Sequence, residues 1–209
     1  MKPSWMFLAL IVLSAATAHA EGTSYPKAKV SFADFKELVG LVETHRASRL
    51  VNFDDFIKMS KEPGVVILDA RSDFRFARLH VKGARHLAFT DFTQDNLATV
   101  IPSPETKILI YCNNNFEGNE TDFQSKMFVP PALAASRQLA DQAKPRMMAL
   151  NVPTYVNLYG YGYTNVYELD ELVDVKDPRI EFEGSVVGTV VDQGSTRPSL
   201  VEERRIPGR

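Results

Sequence analysis

The chain has 209 residues, a length that suits one domain with extensions better than two domains. Its 44% hydrophobic and 24% charged residues are ordinary for a soluble globular protein and suffice for a full core. With a formal net charge of -2 and no face-sized run of Lys or Arg, the composition gives no reason to expect nucleic acid or an anionic membrane surface as a partner.

Residues 1–20 read as a secretory signal peptide. Lys2 gives a positive start, residues 6–12 form an apolar run, and Ala18-His19-Ala20 sets small residues at the alternating positions of a cleavage site. Cleavage after Ala20, ahead of Glu21, makes the product periplasmic or secreted. The apolar run falls short of the roughly 20 residues that span a bilayer, so no stable membrane anchor is expected. No cysteine stands near the cut to carry a lipid.

Residues 21–46 form an N-terminal extension. Within it, SFADFKELVGLVETH (31–45) has helical periodicity, with Ser31 as N-cap and Phe32, Phe35, Val39 and Val42 on one stripe that should pack on the main domain. From residue 47 the pattern alternates between strand and helix. Residues 49–52 are extended, and Asn52 caps a helix over 53–60 that Pro63-Gly64 ends. Residues 65–68 are a continuous apolar run before Asp69, the pattern of a strand buried on both faces in a parallel sheet. A short helix over 73–79, a turn at Gly83 and an extended stretch over 84–89 follow. Residues 107–111, KILIY, form a second buried strand that ends directly at Cys112.

Residues 113–125 are polar, 131–142 have helical character, and 146–161 can form another helix with Pro153 in its first turn. Residues 163–169 return to strand. This order predicts an α/β fold: a central, mostly parallel sheet flanked by helices. Residues 176–209 are expected to be a C-terminal tail, mobile from about 184, where Gly, Ser, Pro and charge accumulate.

Cys112 is the only cysteine, so it cannot form an internal disulfide, and export would place it as a free thiol in an oxidising compartment. A lone buried cysteine is usually an inert small hydrophobe. Its position argues otherwise, because ligands gather at the carboxyl ends of strands in open parallel sheets. The loop Cys112-Asn113-Asn114-Asn115-Phe116-Glu117-Gly118-Asn119 is rich in residues that tolerate unusual backbone angles. Such a loop can curl its N–H groups over the sulfur as an anion-binding nest and favour the nucleophilic thiolate.

LDAR at 68–71, HVKGARHL at 80–87, the strand-Cys112-loop junction and GYTNVYEL at 162–169 together resemble the rhodanese domain, over about residues 47–175. The resemblance implies a rhodanese-like fold with an insertion at about 119–148. It also implies an activity: Cys112 takes the outer sulfur of a small donor (thiosulfate, a polysulfide or a persulfide) and a thiol acceptor removes it. This is covalent catalysis in two displacements, with the loop residues Asn113, Asn114, Asn115, Phe116, Glu117 and Gly118 holding the anionic sulfur. Asp69, Arg71 and His80 are expected to brace that loop. No cofactor is implied, and His80 has no partner at ligand-like spacing that would make a metal site.

Three features depart from the family. The loop has no Arg or Lys to pair with an anionic donor, and Glu117 adds negative charge, which points to a donor other than thiosulfate. The helix that normally follows the loop is displaced by the insertion, which could instead form a lid or a protein partner surface. Asp170-Glu171 also stands where the family has a glycine pair. One alternative is a non-catalytic rhodanese-like binding module in which Cys112 is incidental. Another is a cysteine phosphatase or arsenate reductase, disfavoured because the position six after Cys112 is Gly118 rather than an anion-clamping Arg.

Overall fold

Five short strands form one parallel sheet whose central member ends at the cysteine. The computed structural model describes residues 25–128 and 146–187. The expected signal peptide, the helical stretch over 131–142 and the chain beyond 187 lie outside the described residues. In chain order the sheet strands are β1 (Leu50–Val51), β2 (Val66–Asp69), β4 (Arg85–His86), β5 (Ile108–Tyr111) and β9 (Val166–Leu169), arranged β1-β9-β5-β2-β4. Every pairing is parallel.

The apolar runs read from the sequence are the middle of this sheet, buried on both faces. A strand alternates its side chains, so Val66, Leu68, Ile108, Ile110 and Val166 point to one core and Ile67, Leu109, Tyr111 and Leu169 to the other. The first core is covered by α1 (Phe32–Ala47), α4 (Gln94–Val100) and α5 (Asn151–Gly160), through Val42, Leu97, Tyr155, Val156 and Leu158. The second is covered by α2 (Phe53–Ser60), through Phe53 and Phe56. Asn52 caps α2 as expected, its side chain accepting from the Asp55 N–H at 2.8 Å. The short α3 (Asp73–Arg78) follows β2 and buries none of its side chains.

Several expectations need correction. Helix α1 forms, but the anticipated stripe does not face inward: Phe32, Phe35 and Val39 are exposed and only Val42 of the four is buried. The inward side instead carries Leu38, Val42 and Arg46. Leu38 seats against Gly160, where a Cβ would come within 2.9 Å of it. The expected extended stretch over 84–89 is only β4, followed by a 3-10 turn over Phe89–Asp91. Helix α4, capped by Thr93, was not anticipated at all. Residues 146–161 are not one helix: Arg146–Met147 is a strand, β8, antiparallel to β7 (Met127–Phe128), and α5 begins at Asn151. Pro153 thus sits in the first helical turn, where no intrahelical N–H bond is lost.

The chain also stays packed past residue 175. Val173–Asp174 (β10) pairs with Phe116–Glu117 (β6), and Phe182–Glu183 (β11) pairs antiparallel with His80–Val81 (β3). Apolar residues drive this: Ile180 is buried in the second core, and Phe182 meets Phe116 edge-on with centroids 5.2 Å apart. Gly184 lets the strand end turn closely over α3. Its φ is +133°, and a Cβ there would lie 2.3 Å from the Arg78 carbonyl oxygen. Gly184→Ala is expected to cost about 1–3 kcal/mol by chemical denaturation and to speed amide exchange in β11. Unchanged stability and exchange would show that β11 does not depend on this contact.

Candidate functional site

The central strand β5 delivers Cys112 to the carboxyl edge of the sheet, where the chain leaves through a 3-10 turn, Asn113–Asn115. Cys112 is 2% exposed. The expected ring of amides over residues 113–118 does not form. From that loop the Asn114 N–H donates to Sγ at 3.4 Å. Phe116 turns into the second core and Glu117 is exposed, because both belong to β6, and Gly118 turns the chain away with φ +82°. The sulfur's other amides come from across the insertion: the N–H groups of Leu150 and Asn151, at the start of α5. The displaced helix therefore still aims its positive end at the sulfur.

The three asparagines act as staples. Asn113 Nδ2 donates to the Gln124 carbonyl at 3.1 Å, and Asn114 Oδ1 accepts from the Lys126 N–H at 2.9 Å. Asn115 Oδ1 accepts from the Cys112 N–H at 2.9 Å while its Nδ2 donates to the Leu169 carbonyl at 2.7 Å. The turn is thus tied to the insertion on one side and to β9 on the other.

Asp69 and Arg71 lie behind this turn. Arg71, 4% exposed, donates through Nε and Nη2 to Asp69, which is 0% exposed, with the shortest contact at 2.6 Å. Its remaining N–H groups reach the Leu79 carbonyl at 2.6 Å and Asn113 Oδ1 at 3.3 Å. Tyr111 donates to Asp69 at 2.6 Å and accepts from the Val81 N–H at 3.0 Å. His80 is elsewhere, bonded through Nδ1 to the Phe76 carbonyl at 2.7 Å and stacked on the Phe76 ring. Its hydrogen bond and ring stacking are to Phe76, not to the cysteine turn.

A cavity of about 450 Å³ opens over Cys112, lined among others by Arg71, Arg75, Asn113, Lys126 and Leu150. Its cations correct the expectation of a site without positive charge. They come from outside the loop, Arg75 from α3 and Lys126 from the start of the insertion. Arg75 is held by the Thr121 carbonyl and by Gln124 Oε1 at 3.3 Å. Neither Arg75 nor Lys126 is in a salt bridge among the described residues. Sequence reading missed them because they are distant from Cys112 along the chain.

Burial pushes the Cys112 thiol above its ordinary range, and the amides of Asn114, Leu150 and Asn151 offset this only in part. The nearby Glu168 carboxylate adds to the upward shift. Glu168 is itself buried and paired with Arg46 of α1 through two bonds of 2.5 and 2.6 Å.

A family model for the rhodanese-like domain matches residues 52–171. No curated protein is significantly similar to the chain in sequence. The solution NMR structure of a rhodanese-like domain from Anabaena sp. is 16% identical, with 77% of this chain and 97% of that one covered at a TM-score of 0.43. A rhodanese with anions from E. coli is 19% identical, with 57% and 98% covered at a TM-score of 0.31.

Two measurements check this geometry. Arg71→Leu strands the buried Asp69 carboxylate and should cost about 3–5 kcal/mol in urea denaturation, most of it recovered by adding Asp69→Leu. A small loss, or no recovery, would show that the pair is not the brace described. Because alkylation needs the thiolate, iodoacetamide labelling of Cys112 should be slow at neutral pH and keep rising above pH 9.0, the thiol's ordinary value. A labelling rate that levels off below that pH would contradict the burial argument.

Proposed function

The chain belongs to the rhodanese-like domain family, and we propose that it is an exported sulfurtransferase or persulfide carrier that holds sulfane sulfur on Cys112 and passes it to a thiol acceptor. One observation carries this reading: the sole thiol closes the central strand beneath a cavity that holds two cations without carboxylate partners among the described residues. The signal-peptide features of residues 1–20 support export.

In the loading step the Cys112 thiolate attacks the outer sulfur of the donor. With thiosulfate, the bond between the two donor sulfurs breaks, sulfite leaves with the electron pair, and Cys112 carries a persulfide. Arg75 and Lys126 attract the donor's sulfonate charge to the cavity mouth, and charge-assisted contacts of this kind are the stronger ones. The amides of Asn114, Leu150 and Asn151 then face the anionic sulfur, fixed donors where charge collects. Discharge is the same displacement on the outer sulfur by an acceptor thiolate, which returns Cys112 as thiolate. Among the described residues no histidine lines the cavity to take the thiol proton, so loading follows the thiolate fraction and rises with pH.

A second reading, a non-catalytic module with the insertion as partner surface, is favoured by the near-total burial of the sulfur. Incubating the purified protein with thiosulfate, then separately with a polysulfide, and weighing it intact distinguishes the two. One added sulfur is expected on wild type and none on Cys112→Ser, and the chain recovered from the envelope or medium should begin at Glu21. Arg75→Ala and Lys126→Ala should each raise half-saturating thiosulfate roughly fivefold, the equivalent of about 1 kcal/mol. If neither donor loads wild type beyond Cys112→Ser, the carrier reading is wrong and the module reading stands.

A further inference from the structure

A second cavity lies against the far side of the cysteine turn and has the opposite character. It measures about 510 Å³ and shares Ser125 with the first cavity. Its walls are apolar, with Met127 and Met147 of the β7–β8 pair facing Val152 and Leu172, all four well exposed. Its rim is acidic: Glu117, Glu120 and Asp170 are exposed and none is in a salt bridge among the described residues. Arg46 also borders it, but that charge is spent on Glu168.

One buried group here lacks a partner. Asn151 is 6% exposed and lines this groove, and its Oδ1 is the only buried side-chain polar atom without a hydrogen bond among the described residues. Its orientation is fixed by a chain of bonds. Asn115 Oδ1 accepts from the Cys112 N–H, so it can only accept from Asn151, whose Nδ2 donates to it at 3.0 Å. The Asn151 oxygen is therefore left inside the protein without a donor.

From these features we infer that the groove docks the sulfur acceptor, and that the acceptor is a basic, cysteine-bearing polypeptide segment. Lys or Arg side chains match the three carboxylates, and apolar side chains match the methionine walls. Methionine surfaces adapt to varied apolar side chains. The same charges repel an anionic donor, and the groove meets the Cys112 cavity at Ser125. The inference rests on the sulfur-carrier reading of Cys112. In the transfer it implies, the segment's thiolate bonds to the outer persulfide sulfur, the bond from that sulfur to Cys112 breaks, and Cys112 leaves as thiolate. No oxidant or reductant is needed.

Binding is measured by fluorescence anisotropy on the full chain carrying Cys112→Ser, which removes disulfide formation and sulfur chemistry. The probes are a short dye-labelled peptide alternating lysine and leucine around one cysteine, and the same peptide with glutamate for lysine. The lysine peptide should bind at least about tenfold more tightly, and the preference should vanish at about 0.5 M salt. Glu120→Gln with Asp170→Asn should remove it as well. Equal binding of the two peptides, or a preference that survives the double substitution, overturns the inference. Wild type loaded with polysulfide should also transfer sulfur to the lysine peptide faster than to glutathione, an anionic thiol, and the reverse order overturns it too. Since binding needs no sulfur, a failure of the carrier reading appears in the loading assay and a failure of docking appears in the anisotropy.

Discussion

Arg71 is a guanidinium with almost no access to water, and a charge in that position needs acceptors on every side. It finds them on four separate pieces of chain: Asp69 at the end of β2, the Leu79 carbonyl before β3, Asn113 in the cysteine turn and the Asp122 carbonyl in the insertion. Because these pieces are distant in sequence, satisfying one side chain fixes their mutual positions. Tyr111 adds β5 to the set by donating to the same carboxylate. The turn that follows Cys112 is therefore held by an electrostatic requirement as much as by packing. That explains how a loop of asparagines keeps one conformation with so little apolar anchorage.

The same arrangement sets a tension at the sulfur. Parallel strands buried on both faces place the thiol deep, and depth disfavours the charged form that reacts. The amides of Asn114, Leu150 and Asn151 work in the other direction without overcoming it. The outcome is a site that is neutral at rest and guarded, with its cations standing at the mouth of the cavity. The cavity's positive charge is thereby separate from the groups that act on the sulfur's ionisation.

Much of the scaffold could be read from the sequence, and the reasons are local. VILD and ILIY read as strands buried on both faces, Asn52 before FDDF reads as a cap, and a cysteine at the end of ILIY is expected at the sheet's carboxyl edge. What could not be read is non-local. The stripe Phe32, Phe35, Val39 and Val42 satisfied helical periodicity, yet α1 faces inward with Leu38, Val42 and Arg46, because Gly160 makes room for Leu38 and Glu168 needs a cation. The anion nest was sought within the loop, but its amides are divided between the loop and α5. The missing cation was sought in the loop as well, whereas Arg75 and Lys126 enter from α3 and the insertion. In each case the sequence supplied the right chemistry at a distance that periodicity and spacing do not measure.

The position of β5 at the middle of the sheet has a consequence for the order in which the chain emerges during synthesis. Its first neighbour, β2, precedes it, but its second, β9, follows it by the whole length of the insertion and α5. Leu150 and Asn151 at the sulfur, and the Leu169 carbonyl that holds Asn115, all arrive later than Cys112 itself. The nascent protein thus carries its single thiol uncovered until the last sheet strand is complete. With no second cysteine in the chain, the only covalent error open to it in that interval is with another molecule.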